Sequence, residues 1–281
     1  MPNVYRNDPP EDFQALLDIW QSIRASAGDA KDAGVSYFDH ALSTGSWAWD
    51  PIFDHREPAS IDRLGEVLLG PVFTSEDHPW PDDDGVPCIP LLQLDLDKAS
   101  KMGGLDLGQG LLQVFVSVDD HRGQSIYTRT IDRCDVRLDA LLPVPEFPSG
   151  IEAFATVDWA HADAQEQSCI QIVDYAPKRF CFSGASDLSE WFKFDRFSDD
   201  VKAKMQRFEA ILQNRRDDWD AGGFHLLGTF TPIQYNQAER DWPLFCLESE
   251  HGLNFADGHG QVFFGTAKSG NRVFYFDWSC F

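Results

Sequence analysis

The side chains best suited to acid–base or nucleophilic chemistry gather late in the chain. His225, His251 and His259 stand near Glu248 and Asp257, and Cys246 falls among them. Glu248 closes one apolar run and Asp257 precedes the next, so adjacent strands would bring their side chains close. Imidazole and carboxylate are metal ligands, but a fixed ligand spacing such as His-x-x-x-His is missing. No metal and no cofactor is expected; turn-forming aspartate and solvent-facing histidine is the plainer reading. Cys246 with His251 or His259 has the composition of a thiol nucleophile and its base, which requires a niche that lowers the thiol pKa. Between Phe245 and Leu247, Cys246 reads instead as a buried structural cysteine. Gly108-Gln109-Gly110 lacks the third glycine and the Lys-Ser/Thr of a phosphate loop, and it feeds a strand. Ser183-Gly184-Ala185-Ser186 is no nucleophile elbow. These residues predict a protein that is not an enzyme.

A different chemistry is concentrated between Ser75 and Gly85, where Glu76, Asp77, Asp82, Asp83 and Asp84 surround Trp80. The stretch is too polar and proline-broken for regular structure and is expected as a surface loop. The whole chain has 46 acidic against 23 basic residues, a formal charge of −23. That balance argues against nucleic acid or an anionic membrane as partner, since both select Lys and Arg to neutralise phosphate. It suits a basic protein, with a merely solvated acidic face as the bland alternative. Carboxylates would speed association with such a partner and an aromatic would anchor it. Asp77, Trp80, Asp82, Asp83 and Asp84 are therefore the predicted partner-binding residues, although Trp80-Pro81 can equally serve to pin the loop onto the core.

The elements that must position these residues come from a recurring pattern. Gly70 to Val118 has a looser counterpart between Gly228 and Trp278. Each holds a Gly/Pro turn, a Trp-Pro step at Trp80 or Trp242, an apolar run closed by Asp95 or Glu248, and a Gly-x-Gly turn at Gly108 or Gly258 that feeds a Val/Phe strand. We read two copies of one unit, each burying its apolar runs against a neighbour; chance similarity among Gly-bounded strands is the alternative. Helices are predicted over Phe13 to Ile23, around Ser36 to Leu42, from Pro58 to Gly70, and from an N-cap at Ser198 to Gly222. Strands are predicted at Leu111 to Val118, Gln124 to Ile131, Ile151 to Trp159 and Ser168 to Asp174, with a hairpin turn at Asp119 to Gly123. With 43% hydrophobic residues, including 22 Phe and 9 Trp, the chain can fill a sizeable core. Its six cysteines include no Cys-x-x-Cys pair, which argues against a disulfide scaffold or a structural zinc site. No signal peptide or membrane span is read, so a cytoplasmic location is expected.

Trp80-Pro81, Pro90 to Leu96 and Gly110 to Phe115 together resemble the YwqG-like proteins, a bacterial family of unassigned function. His225 to Gln234 is similar to that family's His-x-Leu-Gly-Gly-x-Pro-x-x-Ile-Gln, with Thr229 where a second glycine is usual, and Asp257 to Phe264 resembles its Gly-Asp-x-Gly strand opening. The resemblance covers roughly Gly70 to the C-terminus and leaves the N-terminal helices without a counterpart. It implies an α+β body of two related sheet-forming halves and transfers no catalytic residues. It also implies a link to bacterial toxin settings, where acidic proteins serve as immunity factors.

The expected fold is thus α+β, with two related halves, about 1–145 and 146–281, whose largely antiparallel sheets share a core flanked by helices in one compact domain over 1–281. The expected function is non-enzymatic binding of a basic protein, as an immunity protein that occludes the basic active-site cleft of a cognate toxin, for instance a nuclease. The alternative is a small-molecule-binding or hydrolytic protein with His225, His259 and Asp257 in a cleft between the repeats.

Overall fold

The computed structural model describes residues 18–19, 21–22, 46–117, 126–147, 157–158, 169–176, 179–181, 198–200, 202–204, 206–207, 224–228, 242–248, 253–254, 259–267 and 272–279. The chain separates into two compact units: 1–48, 178–221 and 228–231 form the first, and 49–177, 222–227 and 232–281 the second. In the first, Ser46, Trp47 and Ala48 pair antiparallel with Cys181, Phe180 and Arg179.

Among the described residues, the second unit holds ten strands of three or more residues. Six form one sheet: β1 (Pro51–Arg56), β2 (Glu66–Leu68), β3 (Ile89–Asp95), β4 (Leu111–Val116), β5 (Ile126–Ile131) and β6 (Cys169–Tyr175), in the order β1-β6-β2-β3-β4-β5 with every neighbouring pair antiparallel. The other four are β7 (His225–Leu227), β8 (Trp242–Glu248), β9 (His259–Thr266) and β10 (Arg272–Ser279), which pair antiparallel in chain order.

The β2-β3-β4-β5 meander and the β7-β8-β9-β10 meander correspond position by position. Val67 faces Gln93, Gln93 faces Gln113 and Gln113 faces Arg129; in the second meander His225 faces Cys246, Cys246 faces Gln261 and Gln261 faces Asp277. Both carry a register shift just after a proline in the second strand, between Pro90 and Leu92 and between Pro243 and Phe245. Such a bulge absorbs the missing N–H of proline without breaking the ladder. Both leave the first strand through a left-handed leucine, Leu69 at φ 51° and Leu227 at φ 59°. A non-glycine residue there is strained and is held only by its surroundings; both leucines are almost fully buried.

One face of each meander is an apolar row. Leu68, Leu92 and Val114 lie side by side in the first, and Leu226, Phe245, Val262 and Phe276 in the second, all buried. Strand β3 is buried on both faces along most of its length, which is why it reads as a near-continuous apolar run. Between β3 and β4 runs the helix Leu96–Gly103, capped by Asp95, whose carboxylate accepts from the N–H groups of Asp97 and Lys98, and closed by Gly104 at φ 62°. Gly110 then turns the chain at φ 104°, where an added Cβ would collide with the Ile131 carbonyl oxygen.

This architecture corrects the α+β expectation. The fold is mostly antiparallel sheet, 46% strand against 20% helix, an all-β-like arrangement and not a sheet core flanked by helices. The stretch Pro58 to Gly70 shows why. Its apolar residues fit helical spacing, but Pro58–Ser60 makes only a 3-10 turn and Glu66–Leu68 is a buried strand between β6 and β3. Burial on both faces gives an apolar run with no clean period. Of the other predicted helices, 18–19 and 21–22 are helical, as are 199–200, 202–204 and 206–207; Ser36 to Leu42 and the Asp119 to Gly123 turn lie outside the described residues.

Candidate functional site

The acidic stretch is also more ordered than its composition suggested. Asp82–Asp83 and Val86–Pro87 form a two-stranded hairpin, closed by Asp84 at φ 50° and Gly85 at φ 82°. Two consecutive positive φ values define the tight turn whose twist suits a hairpin, and Asp-Gly is a preferred sequence for it. The Asp82 carboxylate accepts from Gly85 N–H at 3.0 Å. Trp80 holds the base of the hairpin: its indole N–H donates to the Cys88 carbonyl at 2.7 Å, and its ring meets Phe115 and Phe147 edge-on. Trp80 is half-buried, Asp77, Asp82 and Asp84 are exposed and Asp83 is half-buried. The five predicted residues therefore divide into one anchor and four carboxylates.

Sequence reasoning missed Tyr127, an exposed aromatic on β5. Its phenol pKa is pushed up chiefly by the charge of Asp83, with a smaller contribution from burial and further ones from Cys88, Asp82 and Asp84. Burial, then the charges of Asp83 and Asp82, push the Cys88 thiol up to about 11. The hairpin thus sets a negative field around an exposed aromatic ring.

A buried polar row crosses the first meander. Gln93 Oε1 accepts from Phe73 N–H at 2.9 Å and from Gln113 Nε2 at 2.6 Å, while Gln93 Nε2 donates to the carbonyls of Arg63 and Gly65. Gln113 Nε2 also donates to the Phe73 carbonyl, and Gln113 Oε1 accepts from Arg129 Nε at 2.8 Å. Arg129 goes on to the carbonyls of Pro79 and His78 and lies over the Phe115 ring. Burial lowers its pKa to about 10. Gln171, opposite Val67, binds Asp62 N–H and the Glu66 carbonyl. These side chains bond backbone groups of residues 62–66 and 73–79, on either side of the short strand β2. The detectable signal was a glutamine at the matching point of three apolar strands.

In the second meander the matching row is His225, Cys246, Gln261 and Asp277. The first three are buried, at 2%, 2% and 1% exposure. Gln261 Nε2 approaches Cys246 Sγ at 3.6 Å, and Cys246 Sγ approaches Glu248 Oε1 at 3.8 Å. The strands therefore set Cys246 opposite His225, a partner that the sequence reading did not give it. Cys246 is buried, whereas reactive thiols sit in partly exposed, electropositive niches. His259 stands opposite Glu248 in the ladder, and His251 and Asp257 lie outside the described residues. Among the described residues no group of three or more His, Cys, Asp or Glu side chains is arranged to hold a metal ion.

A second network fixes the end of the first meander. Glu66 is 4% exposed; its Oε1 accepts from the Tyr175 hydroxyl at 3.0 Å and from Asp95 N–H, and its Oε2 has Lys98 Nζ at 3.1 Å as an ion-pair partner. Burial raises the Glu66 pKa against the opposing pull of Lys98 and its hydrogen bonds. Arg133 clamps Asp95 and Asp97, and Asp97 in turn accepts from Gly110 N–H, the contact that most depresses its pKa.

No protein-family model matches the chain, and no curated protein matches it. Among the described residues no helix is long and apolar enough to cross a membrane.

Proposed function

We propose that this is an acidic protein-binding protein whose ligand is a basic protein surface, and that it acts as an immunity protein occluding the basic active-site cleft of a cognate toxin. The observation that carries this reading is the Asp82–Gly85 hairpin: a rigid turn, anchored by Trp80, that presents exposed carboxylates beside the exposed ring of Tyr127. Ordered carboxylates approach a cationic cleft without the entropy cost of arranging a loop. The chain's charge of −23 adds long-range attraction. A stable complex would bury about 1,600 Å² in total, so the hairpin is the centre of a larger patch.

The test is capture of basic proteins from the native cell at low and high salt, with wild type beside the triple variant Asp82→Asn, Asp83→Asn, Asp84→Asn. One basic protein retained by wild type, lost with salt and bound at least tenfold more weakly by the variant, supports the reading. Equal retention by both chains removes it. Co-expression with that protein then tests neutralisation directly.

A further inference from the structure

We propose that the contact between Glu66 and Lys98 is a pH-sensitive latch: a proton taken up by Glu66 expels Lys98 and loosens the helix Leu96–Gly103 while the sheet stays folded. The inference stands apart from the hairpin reading. Glu66 lies on β2 and is 4% exposed, and three elements bring groups to it. From β6, the Tyr175 hydroxyl donates to Oε1 at 3.0 Å. From β3, the N–H of Asp95 donates to the same oxygen at 3.3 Å. The helix brings Lys98 Nζ within 3.1 Å of Oε2, with the ammonium 4.6 Å from the centroid of the Tyr175 ring. The carboxylate of Asp95 is clamped at 2.6 Å by Arg133, from the turn Arg133–Asp135. Among the described residues Lys98 is the one cation that touches Glu66.

The two carboxylate oxygens answer a proton differently. Oε1 accepts from two neutral donors, and a carboxylic acid goes on accepting them through its carbonyl oxygen. Oε2 faces an ammonium, which has donors and no acceptor. A proton on Oε2 removes the charge and sets a donor against a donor, and Lys98, at 34% exposure, leaves for water. Burial favours the protonated acid and raises the Glu66 pKa. Tyr175, kept neutral by its own burial and by the charge of Glu66, stays a donor throughout. The helix keeps its cap, since Asp95 Oδ1 still accepts from Asp97 and Lys98 N–H and Asp97 still holds Gly110 N–H. What it loses is its tie to β2. Beyond that tie the helix meets the second meander: a Cβ on Gly103 would collide with Leu227 of β7, and Arg272 of β10 donates to the Asp106 carbonyl at 2.6 Å. The latch therefore acts on the segment through which the first meander touches the second.

The experiment follows the full chain by NMR across pH, with the Glu66 carboxyl carbon and the Lys98 side-chain Cε as reporters, and measures amide-exchange protection of residues 98–103, in wild type and in Glu66→Gln. In wild type the two reporters are expected to titrate together. In Glu66→Gln the Lys98 signal stays at its acid position at every pH, and helix protection at neutral pH falls about threefold, to the wild type's acid level. Urea unfolding sets a latch apart from general weakening. The stability of wild type relative to Glu66→Gln rises on acidification through the Glu66 titration, because the folded chain binds that proton more tightly, while wild-type helix protection falls. The inference is overturned by a Lys98 signal that does not follow Glu66, by a Glu66→Gln chain that matches neutral wild type in Lys98 signal and helix protection, or by protection and relative stability that fall together. Should Glu66→Gln not fold, the paired titration in wild type still decides it.

Discussion

The two meanders share a register and differ in what their polar rows hold. In the first, Gln93, Gln113 and Arg129 are spent on the backbone of residues 63–80, so the row works as an internal brace. In the second, His225, Cys246 and Gln261 are equally buried, and the Gln261 amide reaches Cys246 Sγ at 3.6 Å where Gln113 reaches a glutamine oxygen at 2.6 Å. Backbone geometry is therefore held by what the meanders have in common, the proline bulges and the left-handed leucines, and the face chemistry is free to diverge. Gln113 and Gln261 therefore carry different stakes: the amide of Gln113 is hydrogen-bonded through both ends, whereas the Oε1 of Gln261 accepts no hydrogen bond among the described residues.

The sharpest way to break this comparison is to truncate the same position in both rows. Gln113→Leu leaves the Phe73 carbonyl and the half-buried guanidinium of Arg129 short of a partner, and is expected to destabilise by about 3–5 kcal/mol. Gln261→Leu removes an acceptor that is already open, and is expected to cost no more than about 1 kcal/mol. Urea denaturation of both variants measures the difference as a shift of midpoint at constant slope. Equal losses would mean that the rows are equivalent braces.

A second contrast concerns the residue before the row. Glu66 occupies the place that Phe224 takes in the second meander, so only the first meander buries a carboxylate there. Removing its cation with Lys98→Met strands that charge and is expected to cost about 2–3 kcal/mol at neutral pH. Glu66→Gln keeps the acceptor for Tyr175 and Asp95 and is expected to cost less, about 1 kcal/mol. The pH dependence separates the two effects. Because burial raises the Glu66 pKa, the folded chain holds its proton more tightly than the unfolded one. Stability from this group is therefore full below the ordinary glutamate range and falls as pH rises through the folded pKa. Glu66→Gln should flatten that part of the stability profile, and an unchanged profile would remove Glu66 as its source.

How much of this was legible follows from where each residue's partners lie. Strands β3, β4, β6 and β8 could be placed from sequence because their apolar runs are bounded by Pro, Gly or a carboxylate. The segment Glu66–Leu68 could not, since a short strand buried on both faces has the same apolar spacing as one turn of helix. The helix Leu96–Gly103 does not stand out in the sequence, although Asp95 and Gly104 bracket it with cap and stop, because its amphipathic run is short and lies between two strand signals. The Trp-Pro steps matched in sequence but not in place: Trp80 precedes the acidic hairpin, whereas Trp242 opens β8 beside the bulge. The pairing of His225 with Cys246 depends on register, which a sequence leaves open until the turn between the strands is known.

The smallest energetic effect is expected where the proposed function is concentrated. Neutralising Asp82, Asp83 and Asp84 to asparagine touches the core only through the hairpin base, and global stability should change by less than about 0.5 kcal/mol. The same change should lower the pKa of Tyr127 toward that of an unperturbed phenol, because Asp83 supplies the largest part of its upward shift. A phenolate absorbance titration, differenced against Tyr127→Phe to isolate one ring, reads this directly. High salt should reproduce the shift in the wild-type chain, since exposed charges are screened within a Debye length. If neither the triple variant nor salt moves Tyr127, the hairpin does not project its charge over that ring. The first meander would then lose the electrostatic feature that distinguishes its outer surface from the second.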